Sequence, residues 1–147
     1  MTIYGALSNF LPSVHLMTYH TTNQQGTLEF LEELAERVDA LNLVEKPYLV
    51  MDNHPAHHAR CLRPVLEHFT PLYLPGYSSH LSSVETCWSH LKHYLNKYFA
   101  RLEYNIDDYA EYLEEIETIM GEWAVVTDPA PFLMAARGDW LKVIEQM

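Results

Sequence analysis

Basic side chains are scarce. The 147 residues hold 9 Lys and Arg against 20 Asp and Glu, a formal net charge of −11. A chain so negative repels nucleic acid in bulk, so any contact with an anion has to be local. Cysteine is scarcer still. Cys61 and Cys87 alone exclude a disulfide framework and point to a reducing compartment, cytoplasmic or nuclear. The five glycines are spread singly, which excludes a glycine-rich phosphate loop. No GxSxG elbow occurs. Apolar runs are short: Tyr48 to Met51 is bounded by Pro47 and Asp52, far from the roughly 18 residues a membrane span needs. The opening MTIYGALSNF lacks the basic and apolar regions of a secretory signal. No repeat is visible.

What is present suits one globular domain. The hydrophobic fraction is 48% and the charged fraction 20%, which argues against disorder. Charge is unevenly placed. Residues 53–101 carry five basic and two acidic side chains, and seven of the nine histidines. Residues 102–147 carry two basic and eleven acidic ones. The middle can face an anion and the end cannot.

TIYGAL and VHLMTY, broken by SNFLP, predict a hairpin. Leu28, Leu31, Leu34, Val38 and Leu41 fall three or four apart, predicting a helix from about Thr27 to Leu43. PYLVMD and PLYL read as buried strands. Between them a helical stretch at about Ala59–Phe69 contains Pro64, so a kink or a late start is expected there. A long helix follows from Ser83 to about Arg101, and an acidic one from Asp108 to about Trp123, with a short final helix expected near the end. The order β-β-α-β-α-β-α-α indicates an α/β sandwich with a partly parallel sheet. Chemistry in such sheets gathers beyond the carboxyl ends of strands, and Asp52 stands at one.

Two segments carry a resemblance. YLVMDNHPAHHA, followed by LYLPGYSSHLSSVETCWSHLK, resembles the second half of a DDE-superfamily endonuclease, and more narrowly the transposases of the mariner and related insertion-sequence group. Those proteins carry an Asp-Asn pair at a strand end with a His soon after. A Leu-Pro-x-Tyr-Ser loop comes next, then a helix opening on Glu with Trp three residues later. Asp52, Asn53, His57, Leu74, Pro75, Tyr77, Ser78, Leu81, Glu85, Trp88 and Lys92 fall on the matching positions, and Gly5 and Asn23 suit the layout. The likeness covers about residues 1–100. It departs at Gly76, at His80, where an Asp is common, and at Ser82 and Ser83 in place of Asn-Pro.

The resemblance implies a ribonuclease-H-like fold, a mixed sheet flanked by helices. It also implies Mg²⁺ or Mn²⁺ held by Asp52 and Glu85 as catalytic and metal-binding residues. DNA is the implied partner, with Asn53, His57, Tyr77, Lys92 and Lys97 as candidate contacts. The family has a further carboxylate on an earlier strand, and no acidic residue precedes Glu29 here. The chain is therefore expected to be a partial core over 1–101 with an acidic helical extension over 102–147. It is expected to lack its first strand or strands and to be inactive alone. A homodimer or a complementing N-terminal fragment would cover the bare sheet edges.

Other readings stand beside this one. Asp52-Asn53 can simply start a turn. Ser82 to Glu85 fits a capping box. His54, His57, His58 and Cys61, or Cys87, His90 and His93, have zinc-like ligand chemistry, although no CxxC pair occurs. A non-catalytic, domesticated or decayed transposase fragment, acting as an interaction domain through its acidic end, is the alternative function.

Overall fold

The computed structural model describes residues 2–19, 24–76, 78, 81–105 and 108–134; over 100–105 it describes the helical backbone alone. The chain begins with the expected hairpin. Strands β1 (Thr2–Ala6) and β2 (His15–Tyr19) pair antiparallel, Thr2 opposite Tyr19 and Ala6 opposite His15. Successive side chains of a strand point to opposite faces, and both faces of this hairpin are apolar. Ile3 and Leu16 join one hydrophobic cluster. Tyr4, Ala6 and Met17 join another. The hairpin is thus a partition between two cores.

Helix α1 (Gln24–Asp39) buries Phe30, Leu31, Leu34, Ala35 and Val38 against the second core. It stops four residues earlier than its apolar spacing predicts. Its last bonds shorten to Leu41 N–H on the Val38 carbonyl and Asn42 N–H on the Asp39 carbonyl. Asn42 then takes φ 50, a left-handed conformation that asparagine tolerates and that ends a helix.

Strands β3 (Tyr48–Met51) and β4 (Thr70–Tyr73) pair in parallel. Their crossover holds the 3₁₀ turns Pro55–His58 and Arg60–Leu62 and the single turn α2 (Arg63–Leu66). Pro64 lies in the first turn of α2, where its missing N–H is no loss. This is the late start its position predicts, and the expected Ala59–Phe69 helix shrinks accordingly. Helix α3 (Ser83–Asn105) runs across residue 101, and α4 (Tyr109–Val126) returns along it. The Asp108 carboxylate caps α4 by accepting the Ala110 N–H at 2.8 Å. Cys87, Leu91 and Leu95 of α3 meet Ile116, Ile119, Met120 and Trp123 of α4 in the first core. A helical turn over 130–134 follows. The short helix expected beyond it lies outside the described residues.

The sheet is in two parts. Among the described residues it consists of two separate two-stranded ladders, β1–β2 and β3–β4. A cavity of about 550 Å³ lies between them, lined by β1, α1, β3 and the start of α3. Beside it, β3 leaves Tyr48 70% and Val50 49% exposed.

Candidate functional site

Asp52 follows β3 directly, and Glu85 stands in the first turn of α3. A strand end and a helix start from different parts of the chain thus deliver one carboxylate each. Both line the 550 Å³ cavity, and they are the two acidic residues doing so among the described residues. His57, Ser82, Ser83 and Trp88 line it as well.

The Asp52 carboxylate is held on one side. Its Oδ1 accepts the His54 N–H at 3.1 Å and lies 2.8 Å from His57 Nδ1. This is the Asx turn that a local reading of Asp52-Asn53 anticipates. The turn and the metal reading coexist, because no described residue engages Oδ2. The next residues brace the turn. His58 Nε2 is 2.6 Å from Asn53 Oδ1, and the His58 ring lies 4.3 Å from that of Tyr73. Asn53 is therefore tied to the histidine turn.

Glu85 is exposed, and no described residue pairs with its carboxylate. Its N–H bonds the Ser82 carbonyl at 3.2 Å, an ordinary first-turn bond. Trp88 packs on β1 at Gly5: a Cβ there would fall within 2.9 Å of Trp88 Cζ2. Only glycine allows that approach, and it fixes the start of α3, hence Glu85, against the hairpin.

Lys92 follows Glu85 by seven residues, nearly two helical turns, so both lie on one stripe of α3 about 10 Å apart. Lys92 is exposed. Lys97 lies 5.8 Å above the Tyr94 ring and points to another part of the helix. Tyr77 and His80 lie outside the described residues. For zinc, no group of three His, Cys, Asp or Glu converges among the described residues. Cys87 is buried, and His90 accepts the Trp123 indole N–H at 3.2 Å. The braces His57–Asp52 and His58–Asn53 were not foreseen; a histidine-rich turn after an acidic strand end is the signal that could have suggested them.

The sequence matches the DDE superfamily endonuclease family over residues 1–106. The chain belongs to that superfamily. It is also similar in structure to the catalytic domain of the Mos1 mariner transposase, with a TM-score of 0.50 and 19% identity over 84% of this chain. That likeness identifies the mixed α/β architecture as a ribonuclease-H-like fold. The chain spans 60% of the length of that solved domain. No protein of curated function matches it. Among the described residues, no helix is long and apolar enough to cross a membrane.

Proposed function

We propose that this chain is part of a transposase-type DDE catalytic domain that holds one divalent cation between Asp52 and Glu85. The carrying observation is that two carboxylates from separate elements line one cavity, each with oxygen free of described partners. Hard cations such as Mg²⁺ and Mn²⁺ take carboxylate oxygens, so the donor set fits. Such an ion, when bound, stabilises charge on the oxygens of an in-line displacement at phosphorus. Asp52 and Glu85 hold it, and His57 is a positioning residue: its contact is with Oδ1, which leaves Oδ2 without a described partner.

Lys92, one stripe along from Glu85, supplies a positive charge for a DNA backbone phosphate beside the site. Asn53, Tyr77 and Lys97 are further DNA contacts in this reading. Two carboxylates hold one ion weakly and do not fix two, so the 147 residues alone bind metal without cutting. Calorimetric titration with Mn²⁺ tests the reading. One site of about millimolar affinity is expected, lost in both Asp52→Asn and Glu85→Gln. Equal binding by either variant would refute it.

A second reading has an observation of its own. Glu111, Glu114, Glu115 and Glu122 of α4 are exposed beside exposed Val125 and Val126. An acidic helix bordered by apolar residues suits a basic protein partner, as a non-catalytic interaction domain would require. Pull-down with a basic peptide, lost when these glutamates become glutamines, would favour it.

A further inference from the structure

Glycine inside a helix is poorer than any residue but proline, so a helical glycine calls for a reason. Gly121 lies in the interior of α4. A Cβ placed there would meet no described atom of the rest of the fold within 4 Å. No packing among the described residues therefore requires it, in contrast to Gly5 under Trp88. The space above Gly121 is an open groove of about 520 Å³, lined by Tyr94 of α3 and by Gly121, Glu122, Val125 and Val126 of α4. Val125 is 75% and Val126 78% exposed.

Residues three and four apart are neighbours on a helix surface, so Glu114, Thr118, Gly121 and Val125 form one row along α4. Glu111, Glu115 and Glu122 flank that row, and all seven residues are exposed. The face is acidic over its first turns, notched at Gly121 and apolar at its end. Helix α4 contains no basic side chain. Lys97, 5.8 Å above the Tyr94 ring, offsets part of the charge on the α3 side. Main-chain groups inside a helix are bonded within it, so a partner docks here by side chains and not by strand pairing. A second copy is opposed by charge. Laid parallel, Glu114 falls opposite its own counterpart; laid antiparallel about Gly121, it falls opposite Asp128. Like charges set against each other suppress both arrangements.

We infer that this groove seats a basic amphipathic α-helix of another protein, with one bulky apolar side chain of that helix in the notch at Gly121. The Lys and Arg residues of the same helix face Glu111, Glu114 and Glu115, and its apolar stripe covers Val125 and Val126. The distance between packed helices depends on the side chains at the contact, and glycine serves where a backbone must be approached closely. Helix-in-groove recognition reads anchors at such three- and four-residue spacings. This rests on the reading of α4 as a face for a basic protein, and adds the partner's helical form and its anchor.

The test uses the full chain and a phage-displayed library of sixteen-residue, alanine-based helical peptides with one face randomised. Enriched peptides are expected to carry Lys or Arg three or four apart, and a Leu, Phe, Met or Trp one or two turns away. The best of them is then titrated by fluorescence anisotropy. Gly121→Leu fills the notch and should weaken binding at least tenfold. Replacing the peptide's apolar anchor by alanine should do the same, and a central proline in the peptide should abolish binding. Gly121→Ala should weaken binding while raising the thermal midpoint by about 2–4 °C, which separates a filled notch from a damaged fold. Four results overturn the inference: no peptide enriches; enriched peptides lack a basic face; Gly121→Leu leaves binding unchanged; or sedimentation shows a dimer that Gly121→Leu dissolves, which would make a second copy the occupant. Basic peptides that bind, are lost when the four exposed glutamates become glutamines, and ignore Gly121→Leu would leave the basic-partner reading standing and this inference refuted. If no basic peptide binds, both fall.

Discussion

The six-membered ring of the Trp88 indole in α3 packs on Gly5 of β1, closer than any side chain at position 5 would permit. The contact couples the hairpin to the helix that carries Glu85. Gly5→Ala forces the indole away and overpacks this junction. A loss of about 1–3 kcal/mol is expected, read as a lower urea midpoint with unchanged slope. An unchanged midpoint would mean that the junction is loose.

His15 sets the acid limit of stability. Its ring stacks on Phe30 at 5.0 Å, is 1% exposed, and has no hydrogen-bond partner for either nitrogen. Burial pushes its pKa down from 6.5 to about 4; Arg37 adds to the fall, and Glu33 opposes it. The unfolded chain therefore binds a proton that the folded chain refuses. The stabilisation is complete above about pH 6.5 and is lost as pH falls towards 4, at most about 3 kcal/mol in all. His15→Leu should flatten that slope in urea melts taken from pH 7 to 4. A slope unchanged by the substitution would assign it elsewhere.

The two thiols should differ sharply. Cys87 is fully buried, and burial raises its pKa to about 11. Cys61 is exposed. A disulfide exchange reagent should therefore titrate one thiol quickly in the native protein and the second only on unfolding. Two fast thiols would contradict the packing of α3 against α4.

His57→Ala should leave the fold intact and weaken Mn²⁺ binding about tenfold, since Asp52 then loses the contact that orients it. Calorimetry beside an unchanged thermal melt checks this. Equal affinity would show that the His54 N–H alone positions the carboxylate.

Local pattern made much of the fold legible. The hairpin, β3, β4 and the starts of α3 and α4 follow from apolar spacing and turn residues. The end of α1 did not, because Leu41 and Leu43 continue the stripe while Asn42 leaves the helix. Asp52 and Glu85 were legible as candidates through motif spacing. Their meeting at one cavity depends on how α3 docks on the hairpin, and that docking is decided by Gly5 and Trp88, far apart in sequence. The gap between the two ladders was not legible in YLVM itself, since an edge strand and a central strand read alike; only the family resemblance gave reason to expect bare edges there.

In the proposed site Asp52 and Glu85 share one ion. Paramagnetic line broadening by substoichiometric Mn²⁺, on chain labelled at its carboxylates and amides, tests it most directly. Signals of Asp52 and Glu85 are expected to broaden together, and Asp52→Asn is expected to abolish broadening at Glu85. Broadening at Glu85 that survives Asp52→Asn, or broadening confined to one carboxylate, would contradict it.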